Sequence, residues 1–304
     1  MKDITLKQFR YFEALARHGH FGRAAEASAI SQPALSMQIK ELEASLGTAL
    51  IERGARQVRL TSFGDAFSLR VRDILQKVDE LGDLVRSQAD GLSGRLRLGV
   101  IPTIAPYLLP TLIQRLETAY DGLDLHVRET LTPRLMDELS DGRIDAAILA
   151  LPASAPAFTE VALCEEQFVL IRPQADADKP PPTSEGLSDM RLLLLEEGHC
   201  FRDQALAYCN IQSAAPREGL DGTSLSTLVQ MVGAGLGVTL LPQMALAVET
   251  RSAAITVSKL RGPQPARTLG MIWRNTNPMA EHLLGLSDLV RGCCEALSAA
   301  PDKT

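Results

Sequence analysis

The chain changes its hydrophobic rhythm once, at Asp90-Gly91-Leu92-Ser93-Gly94, and that change divides what it can fold into. Before this stretch, apolar residues recur at spacings of three and four, the period of amphipathic helices. After it, short apolar runs alternate with helical stretches, the pattern of α/β units with parallel strands. The chain therefore reads as an all-α head joined by a glycine-containing hinge to an α/β body. Its 304 residues, 45% of them hydrophobic, suffice for more than one packed core.

Bulk properties narrow the function. No apolar run is long enough to span a bilayer. Met1-Lys2-Asp3-Ile4-Thr5 lacks the apolar core of a signal peptide. A cytoplasmic protein without membrane contact is expected. Structural disulfides are rare in that compartment, and thiols that bond there tend to be catalytic or sensory. The five cysteines show no zinc spacing with histidines, so no metal and no cofactor is expected. Adjacent Cys293 and Cys294 read as packing residues of a final helix. Charge is uneven. Residues 1–61 hold nine Lys or Arg against six Asp or Glu, a net of +3, so the remainder of a chain of net charge -6 carries -9. A small basic head on an acidic body fits a nucleic-acid module joined to a domain of another kind.

In the head, Leu6, Phe9, Tyr11, Phe12, Leu15 and Ala16 predict a helix over 6–17, and Phe21 to Ser28 a short second one. Ser31-Gln32-Pro33 opens a third, with Ser31 as N-cap and the proline in its first turn, and Gly47 ends it after Leu46. Two helices joined by a tight turn, the second starting with small polar residues, form a helix-turn-helix pattern. Ser31, Gln32, Pro33, Ser36 and Lys40 lie at its start or along one face, where they can meet base edges and phosphates. Leu50 to Leu60 reads as a hairpin wing with a basic tip, whose Arg53 and Arg56 can touch backbone or minor groove. This DNA-binding domain occupies 1–61.

A linker segment follows over 62–92, started by Thr61-Ser62-Phe63-Gly64. Phe67, Val71, Ile74, Val78, Leu81 and Val85 repeat at spacings 4, 3, 4, 3, 4 between charged flanks. Packing on its own domain is one use of such a stripe. Its length and narrowness favour a partner helix, hence a dimer, as paired half-sites require.

The body, 93–304, opens with a strand at Arg95 to Val100. Helix and strand then alternate through Leu149. A second set runs from Phe168-Val169-Leu170-Ile171 through a strand at Arg191 to Leu195, and on to Pro242. Two similar lobes with a ligand-sized cleft are expected. Gly233, Gly235 and Gly237 are not a dinucleotide fingerprint, because they follow a helix and precede a strand, the reverse of the required order.

Cys200 and Cys209 bracket a segment that begins like a helix. A thiol at a helix N-terminus sits at the positive end of the dipole, and His199 and Arg202 place donors beside it. On a continuous helix, nine residues rise about 13 Å. A disulfide needs Cα atoms within about 7 Å. If the two thiols pair, that helix must break. Two unrelated buried cysteines are the alternative.

The head resembles the winged helix-turn-helix of LysR-type transcriptional regulators. The carrying residues are Phe21, Ala24-Ala25, Ser31-Gln32-Pro33-Ala34-Leu35-Ser36, Ile39, Leu42-Glu43, Leu46-Gly47, Leu50, Arg53 and Leu60-Thr61. Leu139 to Ile148 and Gly235 to Pro242 resemble that family's effector domain, so the likeness spans the chain. It implies a winged helix-turn-helix, a long linker helix and a two-lobed effector domain like periplasmic binding proteins, with lobe I at about 93–165 and 268–304 and lobe II at about 166–267. Gly198-His199-Cys200-x-Arg202-Asp203-Gln204 with Cys209, together with Ile101-Pro102-Thr103 and Thr223-Ser224-Leu225, resembles the family's peroxide-sensing members.

That resemblance implies that hydrogen peroxide oxidises Cys200 and that Cys209 resolves the product as a reversible disulfide. It implies that Thr103, Thr132, His199 and Arg267 shape the peroxide pocket, with Arg128 standing where such sensors can carry a histidine. It also implies double-stranded promoter DNA, a homodimer or homotetramer, RNA polymerase and a thiol reductant such as glutaredoxin or thioredoxin as partners, and no enzymatic role. Two rival readings are a LysR-type regulator answering a small organic effector in the cleft, and a thiol peroxidase. The cysteine signature argues against the first, and the DNA-reading head against the second.

Overall fold

The computed structural model describes residues 4–52, 58–86, 91–187, 190–208 and 222–298. Arg53, Arg56 and Cys209 lie outside the described residues. The chain forms two compact units, Met1–Val85 and Arg86–Thr304.

The first unit contains α1 (Leu6–His18), α2 (Phe21–Ala27) and α3 (Gln32–Leu46). Each boundary has a local cause. Thr5 and Gln8 form a reciprocal capping box at the start of α1, and Gly19 closes that helix in the left-handed region at φ 60. Ser31 Oγ accepts from Ala34 N at 3.4 Å, and Gly47 ends α3 at φ 69. Phe12, Leu15, Leu35, Ile39 and Leu42 fill the core between these helices. Burying one such side chain contributes about 1.5–3 kcal/mol. An antiparallel bridge, Ile51 to Leu60, forms the base of the wing. Glu43 Oε1 accepts from the backbone N–H of Leu50 and Ile51, tying that base to α3.

Thr61 Oγ1 accepts from Gly64 N and starts α4 (Ser62–Arg86). The apolar stripe of α4 serves two ends. Val71 is buried in the head, beside Leu75, and Phe67 packs against Phe9, Phe12 and Phe63. Further along, Val78 is half-buried, while Ile74 and Leu81 are 40% and 63% exposed.

The second unit is built on one seven-stranded sheet. Its strands are β1 (Gly94–Val100), β2 (Leu123–Glu129), β3 (Ala146–Leu151), β4 (Phe158–Pro173), β5 (Thr239–Pro242), β6 (Ile255–Ser258) and β7 (Ala266–Arg274). The order is β2-β1-β3-β7-β4-β5, with β6 also paired to β4. β1 runs parallel to β2 and β3, while β7 runs antiparallel to β3 and β4. The helices are α5 (Ala105–Ala119), α6 (Thr132–Ser140), α7 (Ser184–Leu187), α8 (Cys200–Tyr208), α9 (Leu225–Gly233), α10 (Leu246–Glu249) and α11 (Ala280–Ser298). Ala146 to Leu149 of β3 are wholly buried, as a central strand covered on both faces requires.

Two findings differ from the sequence expectation. The second half of the body is not a run of parallel units, because the long β4 is antiparallel to each of its partners β5, β6 and β7. Arg191 to Leu195 is not a strand, for it makes only isolated bridges, Leu192 to Val238 and Leu195 to Gly222. Gly237 permits that close approach, since a Cβ there would lie 2.3 Å from Arg191 O. The glycines do end α9 and precede β5, as expected, with Gly233 the last residue of that helix. No helix among the described residues is long and apolar enough to cross a membrane.

Candidate peroxide site and DNA-facing helix

Three chain segments converge on one narrow notch. Ile101-Pro102-Thr103 comes from the carboxyl end of β1, Leu131-Thr132 from the start of α6, and Gly198-His199-Cys200 from the start of α8. Open α/β sheets place ligands outside the carboxyl ends of their parallel strands, and two helix N-termini add donors and positive potential there. Gly198 makes the turn into α8 at φ +94, and a Cβ on it would press within 3.1 Å of Leu131 Cδ1. Glycine is needed there for backbone and packing alike. Cys200, the first residue of α8, is half-buried.

Arg267 organises the floor of this region. Its Nη1 donates to Thr103 Oγ1 at 2.8 Å and its Nη2 to Thr103 O at 3.1 Å. Its Nε donates to Glu166 Oε2 at 2.7 Å. Glu166 Oε1 in turn accepts from Met244 N at 3.1 Å. The Arg267 and Glu166 side chains are 0% and 1% exposed, a fully desolvated ion pair. The guanidinium also lies 5.8 Å from the ring centres of both Phe168 and Phe201, which meet edge to face. Phe201 belongs to α8, so the same arginine holds Thr103 and meets the ring that α8 contributes.

The remaining groups complete the picture. Thr132 Oγ1 is buried and has no hydrogen-bond partner among the described residues, although it lines the notch. A buried hydroxyl left this way is available to a small polar guest. Burial pushes the His199 imidazole below its usual pKa, against the opposing charge of Glu196, and favours its neutral form. Arg202 Nη1 donates to Leu195 O at 2.7 Å, bracing the chain that leads into the Gly198 turn.

The structure thus brings together Thr103, Thr132, His199 and Cys200 in the notch, with Arg267 behind Thr103. Arg202 works on the backbone alongside, and Cys209 lies outside the described residues. Arg128 is not among the notch residues. It is paired from β2 with Glu138 of α6 at 3.1 Å. Sequence reasoning missed Glu166, Phe168 and Phe201. Glu166 is an acidic residue amid the alternating burial of β4, a weak local signal. Its partner Arg267 is 101 residues away. On α3, Ser31, Gln32, Pro33 and Lys40 are exposed and Ser36 is half-buried, so one face of the helix stands free.

Residues 6–65 match the model of bacterial regulatory helix-turn-helix proteins of the lysR family, and residues 89–293 that of the LysR substrate binding domain. The chain belongs to the LysR family. Within it, the similarity is to the hydrogen peroxide-inducible activators. The chain is 42% identical over 277 residues to a probable hydrogen peroxide-inducible genes activator of Streptomyces viridosporus, covering 90% of this chain and 89% of that one. It is 37% identical over 292 residues to the DNA-binding transcriptional dual regulator OxyR of Escherichia coli K12, covering 95% of each. A cysteine-to-serine variant of Corynebacterium glutamicum OxyR, solved with hydrogen peroxide bound, superposes with a TM-score of 0.67 at 32% identity, over 97% of this chain and 94% of that one.

Proposed function

We propose that this chain is a DNA-binding transcription regulator that senses hydrogen peroxide through Cys200. The observation that carries the reading is the convergence of Cys200 with Thr103, Thr132 and His199 in one notch backed by the buried Arg267. The Cys200 thiolate attacks one peroxide oxygen, the O–O bond breaks, and the other oxygen leaves as water after taking a proton. Thr103, held by Arg267, and Thr132, with an unsatisfied hydroxyl, orient the peroxide and stabilise the departing oxygen. Cys209 then attacks the sulfenic sulfur, releasing a second water and leaving a Cys200–Cys209 disulfide.

α8 is continuous over nine residues from Cys200 to Tyr208. Its rise separates its ends by about 12 Å, so bonding to the next residue requires it to unwind. That rearrangement is the switching element, extending through the segment up to Gly222. The exposed face of α3, with Gln32, Ser36 and Lys40, and the basic wing tip read the operator. The Ile74 and Leu81 part of α4 pairs two protomers, so that two heads meet two half-sites. Tetramer formation on promoter DNA, contact with RNA polymerase and recycling by glutaredoxin or thioredoxin belong to the same proposal, as does a cytoplasmic setting. The role is regulation rather than turnover.

The test is a footprint of reduced and peroxide-treated protein on DNA selected from a random library. Two protected half-sites whose spacing or extent changes on oxidation are expected, with Cys200→Ser binding DNA in one fixed pattern. A footprint indifferent to peroxide would favour the organic-effector reading. Lys40→Ala should weaken binding to all sequences and lower the salt dependence by about one counterion.

A further inference from the structure

The second unit holds another thiol group, away from the notch. Cys164 lies on β4, just past the register shift between Ala162 and Cys164 where that strand pairs with β7. Cys293 and Cys294 lie on α11 and are fully buried, whereas Cys164 is half-buried. The helix is fixed to the strand at this level. Arg291 Nη2 donates to Ala162 O at 3.1 Å, one helical turn before Cys294 and two residues before Cys164. The Cys294 and Cys164 thiols face each other closely enough to perturb one another's ionisation, and both lie in the packing between α11 and β4.

We propose that Cys164 and Cys294 form a second oxidisable dithiol, independent of Cys200, which a hydroperoxide converts into a disulfide tying α11 to β4. A disulfide needs the two sulfurs at about 2 Å and the Cα atoms within about 7 Å, a geometry that thiols facing each other across a packed helix and strand can reach. Arg291 already ties α11 to β4 beside the pair, so closure requires no helix to unwind. In this it is unlike Cys200 with Cys209, where a helix must unwind.

The order of attack follows from the surroundings. Donation from Cys294 holds the Cys164 thiol below its ordinary pKa, against its own burial and Glu166, with Arg267 helping. The same contact and burial hold Cys294 far above its ordinary range. Cys164 is also the one that solvent reaches. The Cys164 thiolate therefore attacks the hydroperoxide, its O–O bond breaks, and the leaving oxygen departs protonated as water or an alcohol. Cys294 then attacks the sulfenic sulfur of Cys164, and its proton leaves with the expelled hydroxide as water. Burial also raises the Cys293 thiol, which lies beside Arg115 of α5 and is not the partner.

The test uses full-length protein carrying Cys200→Ser, so that the notch cannot react first. Reduced protein is treated with excess hydrogen peroxide, quenched, alkylated and digested with trypsin. Cleavage at Arg143, Arg191, Arg202 and Arg217 isolates Cys164, the substituted position and Cys209 on separate peptides, and Cys293 and Cys294 share one. The expected product is a linked peptide pair holding Cys164 and the Cys293-Cys294 segment, lighter by two hydrogens than the reduced pair. Cys293→Ala should keep the link and Cys294→Ala should abolish it. Because Cys294→Ala empties a buried site, Cys164→Ser at the half-buried end provides an independent loss of the link. Cys164 recovered fully alkylated, oxidised without a partner, or linked only to Cys209 would overturn the proposal. None of these results bears on Cys200, which the background variant lacks.

Discussion

The effector unit places its thiols in two unlike settings. Cys200 begins a helix in a notch with Thr103, Thr132 and His199, and its proposed partner, Cys209, follows the last residue of that helix in sequence. Cys164 faces Cys294 across a strand and helix that are already bonded together. The first setting has polar groups for a small oxidant and a costly second step. The second lies beside the buried Glu166–Arg267 pair rather than in the notch, and its second step unwinds no helix. Bond formation is informative to the rest of the molecule only in the first case, because only there must backbone move. A signalling thiol pair needs separation, and a bracing pair needs contact.

The sharpest way to break this comparison is at Arg267, which supports the first setting and acts on the second through its charge. Arg267→Met leaves Glu166 buried and uncompensated and removes both donors to Thr103. A loss of about 3–5 kcal/mol in unfolding free energy is expected. Peroxide reaction at Cys200 should slow as well. Denaturant unfolding with stopped-flow oxidation reads both, and an unchanged midpoint would show that Arg267 is not the organising group.

Thr103 and Thr132 separate structure from chemistry. Thr103→Val leaves Arg267 Nη1 without its acceptor and should cost about 1–3 kcal/mol of stability as well as slowing oxidation. Thr132→Val removes a hydroxyl that has no protein partner among the described residues. Its stability should change by less than about 1 kcal/mol, while oxidation of Cys200 slows by about 100–1000-fold, as for the loss of one positioned donor. Equal effects from both substitutions would deny the asymmetry between them.

How much of this was legible in sequence varied with distance along the chain. Ser31, Gly47 and Thr61 act on neighbours within three or four residues, so the bounds of α3 and the start of α4 were readable. The Gly198-to-Gln204 signature likewise placed the start of α8. The stripe on α4 was visible as a period, but not that Val71 faces the head while Leu81 faces solvent, because that depends on which helices surround it. The antiparallel pairing of β4 with β7 and the Glu166–Arg267 pair depend on register between segments 101 residues apart, and no local period encodes register. Arg191 to Leu195 looked like a strand because it is apolar, yet it is held by isolated bridges and the absence of a side chain at Gly237.

His199 gives a smaller, pH-dependent distinction. Its folded pKa is depressed by burial below the ordinary 6.5, so the unfolded chain takes up a proton there first. The folded state should lose stability as pH falls from about 6.5 toward the depressed value. His199→Gln should flatten that slope and leave stability above it unchanged. A slope of the same size in the variant would assign the effect to other groups. The least effect is expected from Cys164→Ser, which should leave the rate of Cys200 oxidation unaltered, since no described hydrogen bond joins the two sites.

The most direct test of the central claim is peptide mapping of reduced wild-type protein before and after one equivalent of hydrogen peroxide. The account predicts a Cys200–Cys209 linked peptide pair as the first product, lost on replacing either cysteine with serine and reversed by a thiol reductant. Free Cys200 and Cys209 after peroxide, in protein that still binds DNA, would contradict it.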